Sequence, residues 1–148
     1  MNPGDQIRIA FTASKRPEAQ SALQRLVHRY GRSSEDEADV IVALGGDGCM
    51  LDALRRRLND AKPVYGMNRG TVGFLMNEYQ EDTLIERLDA AERATIFPLK
   101  LTARDIHGET VEGHAVNEVS MLRQTAQSAR LKILVDDKVR MESLSCDG

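Results

Sequence analysis

From the start of the chain to Thr95, apolar residues fall into short continuous runs separated by stretches with helical spacing. Ile7, Ile9 and Phe11 in QIRIAFTAS predict a buried first strand. PEAQSALQRLVHRYG predicts a helix with Pro17 near its first turn and Gly31 at its end. DVIVALGGDG is a β-branched run closed by glycines, the pattern of a strand covered on both faces before a tight turn. CMLDALRRRLND carries Met50, Leu51, Leu54 and Leu58 at helical spacing, and KPVYGMN reads as a third short strand. NRGTVGFLMN is a glycine-rich loop, and EDTLIERLDAAERA is a further helix with Leu84, Ile85 and Leu88 on one face. Strands alternating with helices predict βαβ units and a mostly parallel sheet, an α/β domain over residues 1–95.

The rhythm changes near Thr95. IFPLKLTARD alternates apolar and polar residues, the chain turns around Gly108, and the alternation resumes through VEGHAVNEVSMLR. LKILVDDKVRMESLSCDG then predicts a hairpin turning at Asp136 and Asp137. These are antiparallel β signals. Three or four strands ending abruptly would leave an unpaired edge, so residues 96–148 are expected to be the first strands of an incomplete, mainly antiparallel β domain.

Composition narrows the function. Apolar content of 41% and charged content of 29% are globular values, and no apolar run is long enough to cross a bilayer, so no membrane partner is expected. The opening MNPGDQIRIAF carries Asp5 where a secretion signal needs a basic segment, which makes the cytoplasm the expected location. Net charge is −3 and no Lys/Arg block interleaves with aromatics, so the footprint of a nucleic-acid binder is missing. Arg55, Arg56 and Arg57 read as a solvated helix face. Cys49 and Cys146 stand far apart, outside any CxxC or Cys/His cluster, and both are expected to be reduced thiols.

The chemistry centres on Gly45, Gly46, Asp47 and Gly48, between a buried strand and the first turn of a helix. Glycines there let a phosphate approach without a Cβ in the way, and amides at a helix start favour an anion. The site would lie at the carboxyl end of a parallel strand, where open α/β sheets bind ligands. The plain alternative makes Asp47 an N-cap worth about 1 kcal/mol and the glycines a simple turn. A carboxylate beside phosphates would repel them, which implies a divalent cation or a proton-accepting role. Neither the Walker A spacing nor GxGxxG after the first strand is present. The second loop, Gly66 to Leu75, would lie beside the first. Its Phe74 either stacks against a base or nicotinamide or anchors the loop to the core. Asn117 and Glu118 interrupt an apolar strand, as a break at a crevice or as an edge-strand polar pair. Amide plus carboxylate is the pairing that grips adenine edges and ribose hydroxyls.

GGDG, GMNRGTVGFL, NEVS and LSCDG, in this order and spacing, resemble the bacterial NAD kinases across nearly the whole chain. GGDG alone is shared with diacylglycerol-kinase and phosphofructokinase relatives; the glycine loop ending in Phe-Leu, joined to Asn-Glu, is the narrower signal. The resemblance implies transfer of phosphate from ATP, with a divalent cation such as Mg2+, to the 2′-hydroxyl of the adenosine ribose of NAD, giving NADP. It further implies that Asp47 is the general base, with Gly45, Gly46 and Gly48 lining its loop. Phe74 would contact NAD, Asn117 and Glu118 would hold its adenosine part, and Asp147 would lie in a DG element near the substrate. A homo-oligomer is implied as well. Members of this family continue past the DG element into a Thr-Pro-x-Gly-Ser-Thr-Ala-Tyr-like loop and further strands, so the chain ending at Gly148 is expected to be inactive by itself. The competing readings are a lipid or sugar kinase built on the same glycine loop, and a non-catalytic NAD-binding fragment.

Overall fold

The computed structural model describes residues 7–60, 62–70 and 73–148. The chain divides into two compact units, the first ending at Pro98 and the second running from Leu99 to Gly148.

In the first unit, β1 (Ile9–Ala13), β2 (Val40–Gly45) and β3 (Val64–Asn68) form a parallel sheet in the order β1-β2-β3. The central strand β2 is buried at every position, which is why its sequence is a continuous apolar run instead of an alternation. Helix α1 (Pro17–Tyr30) starts with proline in its first turn and ends on Gly31, whose φ of 75° lies in the left-handed region that favours glycine. Its buried residues Ala19, Ala22 and Leu26 recur at helical spacing and join Ile9, Phe11, Val42 and Leu44 in one core cluster. Full burial of a side chain such as Leu26 or Phe11 stabilises by roughly 1.5–3 kcal/mol, so this cluster carries much of the fold. Ala10, Ile41 and Ala38 form a second, smaller cluster.

Helix α2 (Asp47–Arg56) packs against β2 and β3, with Ala53 its buried contact. Helix α3 (Leu84–Asp89) is shorter than its sequence suggests. Leu84 reaches the core, but the alanine-rich residues 90–94 are exposed and non-helical. Helix propensity without an apolar face to bury does not hold a short helix in water.

The second unit contains two antiparallel pairs, β4 (Leu99–Arg104) with β5 (Thr110–Ala115) and β6 (Ala129–Val135) with β7 (Lys138–Cys146). The turn between β4 and β5 is held by the Asp105 carboxylate, which accepts the amide N–H groups of His107 (2.9 Å) and Glu109 (2.8 Å). Asp136 and Asp137 both have positive φ, 51° and 60°, the backbone of a two-residue hairpin turn. The strand expected to run through Arg123 stops at Ala115 instead, and the chain bends at Val116 and Asn117.

Candidate functional site

β2 ends at Gly45, the chain turns at Gly46, and α2 begins at Asp47. Gly46 occupies the N-cap position with no side chain to cap, so Asp47 is the first helical residue and not the cap. Its carboxylate reaches across to the second glycine loop: Oδ2 accepts the Phe74 N–H and Oδ1 the Leu75 N–H, each at 3.0 Å. That loop is itself fastened at its base. The Arg69 N–H donates to the Gly45 carbonyl at 2.8 Å, joining the two glycine loops. Paired backbone bonds between Asn68 and Asn77 (2.8 Å) and between Asn77 and Gly66 (2.9 Å) close the loop behind it. Gly73 is required by this arrangement, because a Cβ there would come within 2.9 Å of Asp47 Cγ and closer still to Oδ1.

A cleft of about 380 Å3 opens over this turn, lined by Ser14, Arg16, Gly46, Asp47, Gly48, Cys49, Gly70 and Gly73. A wider depression of about 750 Å3 shares Arg16, Gly70 and Gly73 with it and extends to Arg69 and Tyr79. Gly45 is buried, and a Cβ on it would meet Cys49 Cβ at 2.9 Å, so close packing explains that glycine. Gly46 and Gly48 differ, because a Cβ on either would meet nothing within 4 Å. Gly48 is moreover inside a helix, where glycine costs roughly 0.5–1 kcal/mol relative to alanine. The fold does not explain this choice; open space above a helix N-terminus is room for an anion. Cys49 is a free thiol whose pKa burial pushes up, which makes it a poor nucleophile.

Phe74 is 100% exposed, which removes its reading as a core anchor. Asn117 and Glu118 lie past the end of β5, both exposed. Asp147 follows β7 and is held by Arg123, through an ion pair of 3.0 Å and a bond from the Arg123 N–H to the Asp147 carbonyl at 3.0 Å. The first unit therefore assembles Gly46, Asp47, Gly48 and Phe74 around one place, while Asn117, Glu118 and Asp147 belong to the second unit. Sequence reasoning missed Ser14 and Arg16. They follow β1 at the same carboxyl sheet edge as Gly46, and that topological position was the available signal. Among the described residues no group of three or more His, Cys, Asp or Glu side chains is placed to hold a metal ion.

Residues 4–95 match the family described as the ATP-NAD kinase N-terminal domain. The NAD kinase of Hyphomonas neptunium is 66% identical over 142 residues, which cover 96% of this chain and 56% of that protein. The NAD kinase of Caulobacter vibrioides is 57% identical over 141 residues, 95% of this chain and 54% of the relative. The chain spans about half the length of the curated relatives it matches. Among solved structures, yeast NADH kinase complexed with NADH aligns with a TM-score of 0.69 over 97% of this chain and 57% of that one. The identity there is 16%, so the likeness is one of fold.

Proposed function

The chain belongs to the ATP-NAD kinase N-terminal domain family, and we propose that it supplies the phosphate-transfer side of a site that phosphorylates the 2′-hydroxyl of the adenosine ribose of NAD from ATP, giving NADP. One observation carries the reading: a single carboxylate, Asp47, is presented at a bare glycine turn to a cleft whose backbone leaves room for phosphate.

Asp47 is the general base in this reading. A carboxylate has about four lone-pair sites, and the amides of Phe74 and Leu75 occupy two, which leaves the oxygens able to take a proton while holding their direction. The ribose oxygen forms its bond to the γ-phosphorus as the proton passes to Asp47, and the bond to the leaving ADP oxygen breaks in line. Amides at the start of α2 face the developing charge. Asp47 is left to the proton, because Mg2+ would come with the ATP phosphates and be held mainly by their oxygens. When bound, it would neutralise phosphate charge. Phe74 presents a free ring for a base or nicotinamide to stack on.

The resemblance assigns Asn117 and Glu118 to the adenosine part of NAD and Asp147 to the substrate's vicinity, within a β domain divided from the α/β domain near Thr95. The resemblance also implies a homo-oligomer. We place the activity in the cytoplasm, where the two free thiols would stay reduced.

The test is calorimetry with NAD together with a phosphorylation assay. Both are run on the chain alone and on the chain joined to the remaining segment of the Hyphomonas neptunium relative. NADP formation by the longer form, reduced on the order of 100-fold or more by Asp47→Asn at saturating NAD, is expected. Binding of NAD without NADP formation would establish the non-catalytic reading, and phosphorylation of a lipid or sugar instead would establish the other kinase reading.

A further inference from the structure

We propose that Arg16, assisted by Arg69, is the clamp for the phosphate chain of the donor. The inference deepens the kinase reading and rests on it.

The described arginines of the first unit divide by their partners, with Arg32, Arg87 and Arg93 holding no carboxylate but lining neither cleft. Arg8, Arg25, Arg29, Arg55, Arg56 and Arg57 each hold a carboxylate. Arg16 lines both clefts, and its guanidinium makes no ion pair or hydrogen bond among the described residues. Arg69 lines the wider depression and also lacks a carboxylate. Its guanidinium carbon lies 4.0 Å from the centroid of the Tyr79 ring, and its buried Nε has no acceptor. Two arginines without carboxylates that both line the clefts, in a protein with net charge −3, mark a place kept for an anion from outside.

Position gives the anion its length. Arg16 sits where the smaller cleft meets the wider one, near the Gly70 backbone: a Cβ on Gly70 would lie 3.7 Å from a terminal nitrogen of Arg16 and 3.7 Å from the Gly46 N. A phosphate at the Gly46–Gly48 turn is therefore a short step from the Arg16 guanidinium, and Arg69 lies farther along. Planar guanidinium forks suit phosphate oxygens, and stacking on Tyr79 orders the Arg69 fork in advance. A single phosphate would need only the turn; three cationic or amide stations in succession fit a chain of phosphates. Glu18 and Glu78 line the wider depression, so the end of the chain there meets negative charge, and the smaller cleft is its stronger end. Nucleoside triphosphate and inorganic polyphosphate share this chemistry.

The experiment is calorimetry on the full chain with ATP, with inorganic tripolyphosphate and with NAD, comparing wild type, Arg16→Ala, Arg16→Lys and Arg32→Ala. Arg32 is exposed and lines neither cleft, so its variant controls for loss of surface charge. Arg16→Ala should weaken ATP and tripolyphosphate alike by about tenfold or more, the scale of a charge-assisted hydrogen bond. NAD affinity and thermal midpoint should not change. Arg16→Lys should recover part of the loss, because it keeps the charge and not the fork. Equal binding of the phosphate probes by wild type and Arg16→Ala would overturn the clamp while leaving the kinase reading intact. A loss confined to ATP would overturn it by placing Arg16 on the nucleoside. Failure of the wild-type chain to bind either phosphate probe would overturn it as well, and NAD binding by the same sample would show that the acceptor side stands.

Discussion

The two units use the same apolar side chains to opposite ends. In the first, a three-stranded sheet is covered by helices, and every buried residue described lies at or before Leu84. In the second, the strands of two hairpins alternate apolar and polar residues for much of their length, yet Val111 is 66% exposed and Leu134 52%. Alternation sorts side chains onto faces, but a face becomes a core only when another layer removes it from water. The first unit therefore has its own source of stability, and the second has strand pairing without a buried layer.

The sharpest way to break this contrast is truncation on both sides of it. Leu26→Ala, in the core cluster, should lose about 2–5 kcal/mol in denaturant unfolding, whereas Leu134→Ala should lose less than about 0.5 kcal/mol. Equal losses would mean that the hairpins carry a core after all. Gly31→Ala comes next. Its φ of 75° and ψ of −173° are open almost solely to glycine and its Cβ would meet nothing, so a loss of about 1–3 kcal/mol would be backbone strain alone. Gly48→Ala should act in the opposite sense, raising the ligand-free thermal midpoint by the equivalent of about 0.5–1 kcal/mol while weakening ATP binding. A variant that is both less stable and unchanged in binding would show that Gly48 serves the fold.

The smallest effect is in acid. The Arg8 side chain, bonded to Asp39 at 2.8 Å, and the Arg8 amide hold that carboxyl at about 2, below its ordinary 3.8. A depressed folded pKa adds stability that is present above 3.8 and fades as pH falls through about 2. Arg8→Ala should flatten the stability profile over that window and leave it unchanged near neutrality in shape; an unaltered acid limb would exclude this pair as a contributor. Both residues are exposed, so the shift in the profile should be slight.

The first unit was legible because its signals are local and redundant. β2 is buried on both faces and reads as an unbroken apolar run, and α1 has proline and glycine at its two ends. The Gly46–Gly48 turn announced itself through glycines that the fold does not need. Arg16 did not, because a lone arginine after a strand has no local pattern, and its meaning comes from what surrounds it in space. The extension of β5 to Arg123 fails for a related reason. Val116, Val119 and Met121 carry strand-like residue types, but Val119 and Met121 are exposed at 45% and 62% and pair with no strand among the described residues. Likewise the alanines after Asp89 favour a helix that no packing secures.

The bonds from Phe74 and Leu75 to Asp47 make one carboxylate the bracket on which a neighbouring strip of backbone hangs. Its loss would unhook that strip as well as remove a proton acceptor, and an asparagine, with one carbonyl and one amino group, can keep only one of the two fastenings. Rates measured on variants at this position therefore combine chemistry with the steadiness of the Phe74 ring. Separating them calls for a signal from the ring itself.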